Sequence, residues 1–172
     1  AASCGAGTQG DAEIITAKIN RKTRIQTLVP NSLDSFPWAG HLGLTMLPEL
    51  LESLDRETST LIFTNTRSQC ERWYQALKEA CPEMDDQLAL HHSSIDRTDR
   101  EAIESRVKEG SLKWVVCTSS LDLGIDFHPV ERVVQIGSAK AVARLLQRAG
   151  RSAHYPEGRS EILFVPTNSL EL

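Results

Sequence analysis

The 172-residue chain is long enough for one domain with a substantial core, but too short for a second domain of similar size. Its 19 basic and 23 acidic residues give a formal net charge of −4, so overall charge does not point to nucleic acid. No apolar run approaches the roughly 18 residues of a membrane helix, and the first residues lack the pattern of a signal peptide. We therefore expect a cytoplasmic protein with no membrane contact. The four cysteines include no CxxC pair, so we expect no metal site.

From residue 60 onward, short apolar runs alternate with segments of helical periodicity. This alternation is typical of an α/β domain in which a parallel sheet carries helices on both faces, in three layers. The apolar runs are almost continuous, as expected for strands buried on both sides. The predicted strands are 60–64, 87–92, 113–118, 131–136 and 161–165, and residues 23–29 alternate like an added strand.

Helical periodicity predicts three helices between these strands and one before the first of them. We expect one capping box from Thr66 with Gln69. A second capping box is expected from Thr98 with Glu101. Gly150 is placed to end the last helix. The predicted helices span 47–54, 68–80, 98–108 and 140–149.

The two ends of the chain differ in composition from its centre. Residues 1–13 are mostly small and polar, and we expect a disordered end or a linker there. The folded domain is predicted to span 14–167. Residues 168–172 resemble the start of a following helical segment, so we interpret the chain as a piece of a longer protein.

Positive charge is concentrated near the end of the chain. Between Ser138 and Ser160 there are five basic residues and one acidic residue, and this stretch contains the octapeptide QRAGRSAH at 147–154. Fixed cations on a short, rigid support can neutralise a polyphosphate in a transition state. The charge pattern alone fits a solvated helix face equally well. The candidate residues are Gln147, Arg148, Arg151 and His154.

Polar side chains follow three of the predicted strands where each strand gives way to a helix. Hydroxyls and free backbone N–H groups at such junctions can hold phosphate. Capping of the following helix is the alternative role for Thr66 and for residues 118–120. His91 and His92 are neighbours on a strand and point to opposite faces, which argues against shared metal binding. The phosphate-binding candidates are Thr64, Asn65, Thr66, Arg67, His92, Ser93, Thr118, Ser119 and Ser120.

Four segments carry a family resemblance: LIFTNTRSQCE (61–71), LALHHSSIDRTDRE (88–101), VVCTSSLDLGIDF (115–127) and QRAGRSAH (147–154). Their order and spacing resemble motifs IV, IVa, V and VI of superfamily 2 helicases. With FPWAGHLGLTMLPELL added, nearly the whole chain after Ile14 resembles the second RecA-like domain of ligase-associated DExH-box helicases, in the large helicase-related family. The resemblance implies a RecA-like fold and ATP-driven, 3'-to-5' translocation on single-stranded DNA in DNA repair.

The resemblance also implies roles for the residues of motif VI. Arg151 matches the arginine finger, and Gln147 is expected to orient the attacking water or the γ-phosphate. Arg148 belongs to the same motif, with helix-surface salt bridges as an equal alternative. His154 stands where the superfamily usually has a second arginine, and it either donates one hydrogen bond to phosphate or caps the loop.

Motif V implies a further pair of nucleotide-binding residues. Asp126 resembles the carboxylate that approaches the nucleotide ribose. Gly124 gives the backbone the freedom to turn before it. An ordinary ion pair between Asp126 and the Arg151 region is the alternative.

The motifs that hold nucleotide phosphate are missing from this sequence. It contains no GxxxxGK[ST] and no Asp-Glu-x-His segment after a strand. ATP and Mg²⁺ are therefore expected to be held mainly by a first RecA-like domain, and the isolated chain is expected to be inactive. The implied partners are single-stranded DNA, that first domain, an ATP-dependent DNA ligase and a nuclease. The alternative is a non-catalytic α/β module that binds nucleic acid or protein through the same loops.

Overall fold

The computed structural model describes residues 23–33, 36–39, 42–122, 130–152 and 160–172. Within these ranges, six strands form one sheet in the order β1-β6-β5-β2-β4-β3, and every neighbouring pair is parallel. The predicted parallel α/β architecture and all six predicted strands are confirmed. The strands are β1 (Thr23–Thr27), β2 (Thr60–Phe63), β3 (Leu88–His91), β4 (Trp114–Cys117), β5 (Arg132–Ile136) and β6 (Ser160–Val165).

Four α-helices accompany the sheet in the described part of the chain. The Thr66 cap predicted for the second helix is confirmed, because the Thr66 side chain accepts a hydrogen bond from the Gln69 N–H at 3.1 Å. The Gln69 side chain reaches back one residue further than expected and accepts from the Asn65 N–H at 2.9 Å. The helices are α1 (Leu47–Ser53), α2 (Arg67–Ala80), α3 (Arg97–Lys108) and α4 (Val142–Ala149).

Two predicted helix ends are wrong. The first is the Thr98 cap: α3 begins at Arg97, so Thr98 already lies in its first turn. The second is the start of α4, which lies two residues later than expected because Lys140 adopts a φ of 60°, outside the helical range. Gly150 does follow the last residue of α4, with an ordinary right-handed backbone.

The core lies on both faces of the sheet, as the apolar strands predict. On one face α1 and α2 pack around the fully buried Trp73 and Leu77. On the other face α3 and α4 pack through Val107 and Ala149. Burying one large apolar side chain contributes about 1.5–3 kcal/mol, so both helical layers are held firmly against the strands. Because the strands are parallel, all their carboxyl ends lie at one edge of the sheet, where open α/β sheets bind ligands.

The helices of the described residues do not include one that is long and apolar enough to cross a membrane. The predictions for residues 1–13, Gly124, Asp126 and His154 fall outside the described residues.

Candidate functional site

Three arginines, two in α4 and one just after it, converge on one aspartate, Asp122, which follows β4 and is buried. Arg148 contacts both carboxylate oxygens, with Nε 2.7 Å from Oδ1 and Nη2 3.3 Å from Oδ2. Arg144 approaches Oδ2 through its Nε at 3.7 Å. Arg151 donates from Nη2 to the main-chain oxygen of Asp122 at 2.6 Å. Asp122 therefore binds Arg144 and Arg148 of α4 and Arg151 just after it, and holds them at the carboxyl edge of the sheet.

Arg148 is a buried cation whose side chain is only 1% exposed. Besides Asp122, it donates through Nη1 to the side-chain oxygen of Gln135, and its guanidinium carbon lies 4.4 Å from the centre of the Phe63 ring. Gln135 is fixed in turn, because its amide donates to the main-chain oxygen of Gly137 at 2.9 Å. A charge removed from water needs such partners. The helix-surface salt bridge considered for Arg148 is therefore wrong: the ion pair is internal.

Arg151 and Gln147 lie nearer to solvent than Arg148. Arg151 is half-buried and follows Gly150, directly after α4. Gln147 is exposed on α4. The hydrogen bond from Arg151 to Asp122 keeps its guanidinium at the carboxyl edge, which is the position that a group reaching a bound phosphate requires.

The loop after β4 holds the three hydroxyl residues that were predicted to bind phosphate. It forms a short 3₁₀ helix, Ser119–Leu121, and the Thr118 side chain makes no capping bond to it. Ser119 is exposed and Thr118 is half-buried. The Ser120 hydroxyl instead lies 2.8 Å from Nδ1 of the buried His91. Ser119 is therefore the exposed hydroxyl residue of this loop, Thr118 is partly accessible and contacts Ser120, and capping does not explain Thr118.

His91, which was considered from the sequence only as a metal ligand, is a buried polar residue at the end of β3. Its Nε2 lies 3.2 Å from Oε1 of Glu104 on α3, and its Nδ1 contacts Ser120. Burial lowers the pKa of His91, although the Glu104 carboxylate opposes this effect by favouring the protonated ring. The ring is therefore neutral near pH 7, with one nitrogen as donor and the other as acceptor.

Acidification is expected to weaken the fold through His91. An unfolded chain takes up this proton near the ordinary pKa of 6.5, whereas the folded chain takes it up only at lower pH. Stability from this group is thus complete above pH 6.5 and is lost as the pH falls towards the folded pKa, by at most about 1.4 kcal/mol per pH unit. Urea unfolding at pH 7.5 and pH 5.5 should show a smaller loss for His91→Asn than for the wild type. Equal losses would contradict this assignment.

The segment after β2 divides its polar side chains between the interior and the surface. Thr64 is buried, and its hydroxyl donates to the main-chain oxygen of Cys117 at 3.1 Å. Asn65 is exposed and donates from Nδ2 to the main-chain oxygen of Ser138 at 2.9 Å. Thr66 caps α2, as described above. Arg67 follows Thr66, and its charged side chain is exposed.

Arg67 connects the segment after β2 to the loop after β3. Its Nη1 donates to the Ser94 hydroxyl at 3.2 Å, and its Nε lies 3.5 Å from a carboxylate oxygen of Glu71. The same oxygen of Glu71 lies 3.4 Å from Nε2 of His92, which is buried. Ser93 beside it is exposed. The structure therefore brings Arg67 and Ser93 to one surface and turns the His92 ring inward.

The loops with these candidates follow β2, β4 and β3, which are adjacent in the sheet. They form a row of exposed polar groups along the carboxyl edge, next to the arginines of α4. A parallel RecA-like sheet with this row and this arginine cluster defines the class of protein: the second RecA-like domain of a superfamily 2 helicase.

Comparisons with known proteins give the family. Residues 43–155 match the helicase conserved C-terminal domain, and the chain belongs to that family. It is 37% identical over 153 residues to the ATP-dependent helicase Lhr-Core of Sulfolobus acidocaldarius, covering 87% of this chain and 18% of that protein. It is 32% identical over 152 residues to the Lhr helicase/uracil glycosylase of Escherichia coli, covering 72% of this chain and 10% of that protein. The chain thus spans less than a fifth of these relatives.

Solved structures agree with the family. The Mycobacterium smegmatis helicase Lhr bound to ssDNA and AMP-PNP superposes with a TM-score of 0.72 at 28% identity, covering 88% of this chain and 20% of that one. Domain 2 of the DEAD-box helicase Mss116p, bound to an RNA duplex, has a TM-score of 0.60 at 25% identity, covering 74% of this chain and 49% of that one. The predicted RecA-like fold and the resemblance to the second domain of such helicases are confirmed.

Proposed function

We propose that this chain is the second motor domain of an ATP-dependent DNA helicase that moves 3' to 5' along single-stranded DNA. One observation carries the proposal: Asp122 gathers the arginines of α4 at the sheet edge that also presents the row of phosphate-binding candidates. A motor of this class needs both a cation that reaches ATP and a grip on the DNA backbone. The relatives named as ATP-dependent helicases, and the Lhr structure bound to ssDNA, support this function.

On the ATP side, Arg151 acts as the arginine finger when a first RecA-like domain closes against this one. Gln147 is exposed beside it and orients the water or the γ-phosphate. Arg148 is buried, so we assign it to positioning the end of α4. His154, Gly124 and Asp126 keep the roles that the motifs imply.

Mg²⁺ belongs to the first domain in this proposal. The carboxylate of Asp122 is taken by Arg148 and Arg144, so it does not fit a cation site.

On the DNA side, the exposed members of the row contact the phosphates. We assign this role to Asn65, Arg67, Ser93 and Ser119, with Thr118 partly accessible beside them. Such contacts position the strand without reading its bases. The remaining candidates bond inward and shape the loops: Thr64, Thr66, His92 and Ser120.

The two sides meet at Asp122. Asp122 directly follows the 3₁₀ helix Ser119–Leu121, and its main-chain oxygen accepts the hydrogen bond from Arg151. A phosphate that shifts this loop therefore also shifts the group that holds the finger. This connection provides a physical route by which DNA stimulates ATP hydrolysis. The first RecA-like domain, a DNA ligase and a nuclease are the partners we propose for the whole protein, which we place in the cytoplasm.

Replacing Arg67 with alanine is expected to weaken binding of single-stranded DNA by a similar factor for every sequence tested. Arg67 meets phosphate and not bases, so the slope of log Kd against log salt should fall by about one. Fluorescence anisotropy of labelled oligonucleotides of several sequences, at a series of salt concentrations, measures both effects.

Arg56→Ala is the matched control for this experiment. Arg56 precedes β2 and so lies towards the opposite edge of the sheet, and its side chain is 59% exposed against 61% for Arg67. Each arginine contacts one glutamate, at 2.7 Å for Arg56 and 3.5 Å for Arg67. The control should bind DNA like the wild type. A loss for Arg67→Ala that depends on sequence, or an equal loss in both variants, would count against the proposed grip.

A further inference from the structure

A chain of hydrogen bonds links α3 to the loop after β4 through the buried His91. Glu104 of α3 lies 3.2 Å from Nε2 of His91, and Ser120 of the loop lies 2.8 Å from Nδ1. The loop is also held by the backbone of His91, whose main-chain oxygen accepts from the Thr118 N–H at 3.2 Å and lies 3.2 Å from the Ser120 Oγ. His91 of β3 therefore holds the loop after β4 through both its ring and its main-chain oxygen.

The chemistry of the three groups sets the direction of these bonds. The Glu104 carboxylate can only accept, so Nε2 of the neutral ring carries the hydrogen and donates to it. Nδ1 is then an acceptor, and the Ser120 hydroxyl donates inward to it. The hydroxyl of the half-buried Thr118 donates to Ser120 Oγ at 3.4 Å, so Ser120 also holds Thr118. The hydrogen of Ser120 is therefore committed to the interior and not to a phosphate.

A histidine at the end of β3 indicates a specific role, because an apolar residue would be expected there. His91 pairs in register with Cys117, and the ends of the neighbouring strands are filled by apolar side chains, as at Phe63. An apolar residue fills such a site at lower cost, because a buried ring needs a partner for each nitrogen. Here both nitrogens have partners, and one partner lies in the loop that carries Ser119.

We propose that His91 is a positioning residue that holds the loop after β4 in its DNA-binding shape. Ser120 is the anchor of this loop, Glu104 sets the tautomer of the ring, and Ser119 and Thr118 face the phosphate. This inference rests on the proposed function, because it concerns the same DNA grip.

Two amide substitutions of His91 separate its hydrogen bond to Ser120 from its hydrogen bond to Glu104. In His91→Asn the amide oxygen falls near the place of Nδ1, so the bond to Ser120 is kept and the bond to Glu104 is lost. In His91→Gln the amide reaches the place of Nε2, so the bond to Glu104 is kept and the bond to Ser120 is lost. Asn is one methylene smaller than Gln, so His91→Asn leaves the larger cavity in the core. A purely structural role therefore predicts the greater loss of DNA binding for His91→Asn.

The measurement is the affinity of the chain for a labelled oligo-dT, with stability checked by urea unfolding. Binding by His91→Asn should stay within about threefold of the wild type, whereas His91→Gln should bind about tenfold more weakly. The salt slope should be unchanged in both, because no contact between a charge and a phosphate is removed. Equal losses in the two variants, or losses that follow their stability, overturn the inference.

A double-mutant cycle between Glu104→Ala and Ser120→Ala tests the same inference if a His91 variant does not fold. Each of these residues bonds to a different nitrogen of His91, so the ring joins them. The inference predicts that the second substitution weakens DNA binding much less once the first is present. Additive effects overturn it. If the wild-type chain itself fails to bind DNA, the proposed function fails first, which distinguishes the two failures.

Discussion

Replacing Asp122 with alanine is expected to lower the free energy of unfolding by about 3–5 kcal/mol. The reason is that the substitution removes the carboxylate that pairs with Arg148. That guanidinium is 1% exposed, and its other polar partner, Gln135, is neutral. A buried cation without its anion has lost most of what offset its removal from water, and the side chain is too enclosed to reach solvent. Urea unfolding followed by circular dichroism measures the loss.

The double variant Asp122→Leu/Arg148→Met tests the cause. It removes both charges and fills the space with apolar groups, so it should recover much of the stability lost in Asp122→Ala. Arg97→Ala breaks the exposed pair Arg97–Glu101 and should leave the free energy of unfolding close to that of the wild type. If Asp122→Ala proves as mild as Arg97→Ala, the buried pair does not hold α4 in place.

The fold was predictable because most of its signals are local. Five of the six strands are short apolar runs between polar residues, β1 alternates instead, and the Thr66 cap is visible as a hydroxyl residue three positions before a glutamine. The same reasoning failed for Thr98, because a sequence pattern does not say on which residue a helix begins when Arg97 can also adopt helical geometry. It failed for Lys140 as well, whose φ of 60° depends on how the chain leaves β5.

The site was predictable only in part, for a physical reason. Motif spacing predicted roles for Arg151 and the loop hydroxyls, and the structure places them at the carboxyl edge of the sheet, but the spacing could not say which arginine of α4 is buried. On this helix Leu146 is 50% exposed while Arg148 is 1% exposed, the reverse of what hydrophobicity suggests. Arg148 is buried because it pairs with Asp122. Only the tertiary structure brings Asp122 next to this helix. The signals that existed were a glutamine inside the apolar strand β5 and a histidine at the end of β3, since a buried polar residue requires a partner.

The proposed role of Arg151 as the arginine finger predicts the largest effect on activity. In the protein that carries both RecA-like domains, Arg151→Ala is expected to reduce DNA-stimulated ATP hydrolysis by about a thousandfold or more, because the charge that develops on the transferred phosphate loses its cation. DNA affinity should stay within about twofold of the wild type, since Arg151 belongs to the arginine cluster and not to the row of DNA contacts. A phosphate-release assay with saturating DNA measures hydrolysis, and anisotropy measures binding.

Two further variants show whether the effect comes from the guanidinium itself. Arg151→Lys keeps the charge but loses the planar fork that holds a phosphate and the Asp122 oxygen together, so it should restore little of the activity. Arg97→Ala removes an exposed arginine from α3 and should hydrolyse ATP like the wild type. Turnover retained in Arg151→Ala contradicts the finger assignment. A parallel loss of DNA binding would instead mean that Arg151 acts by holding Asp122 and the loop before it.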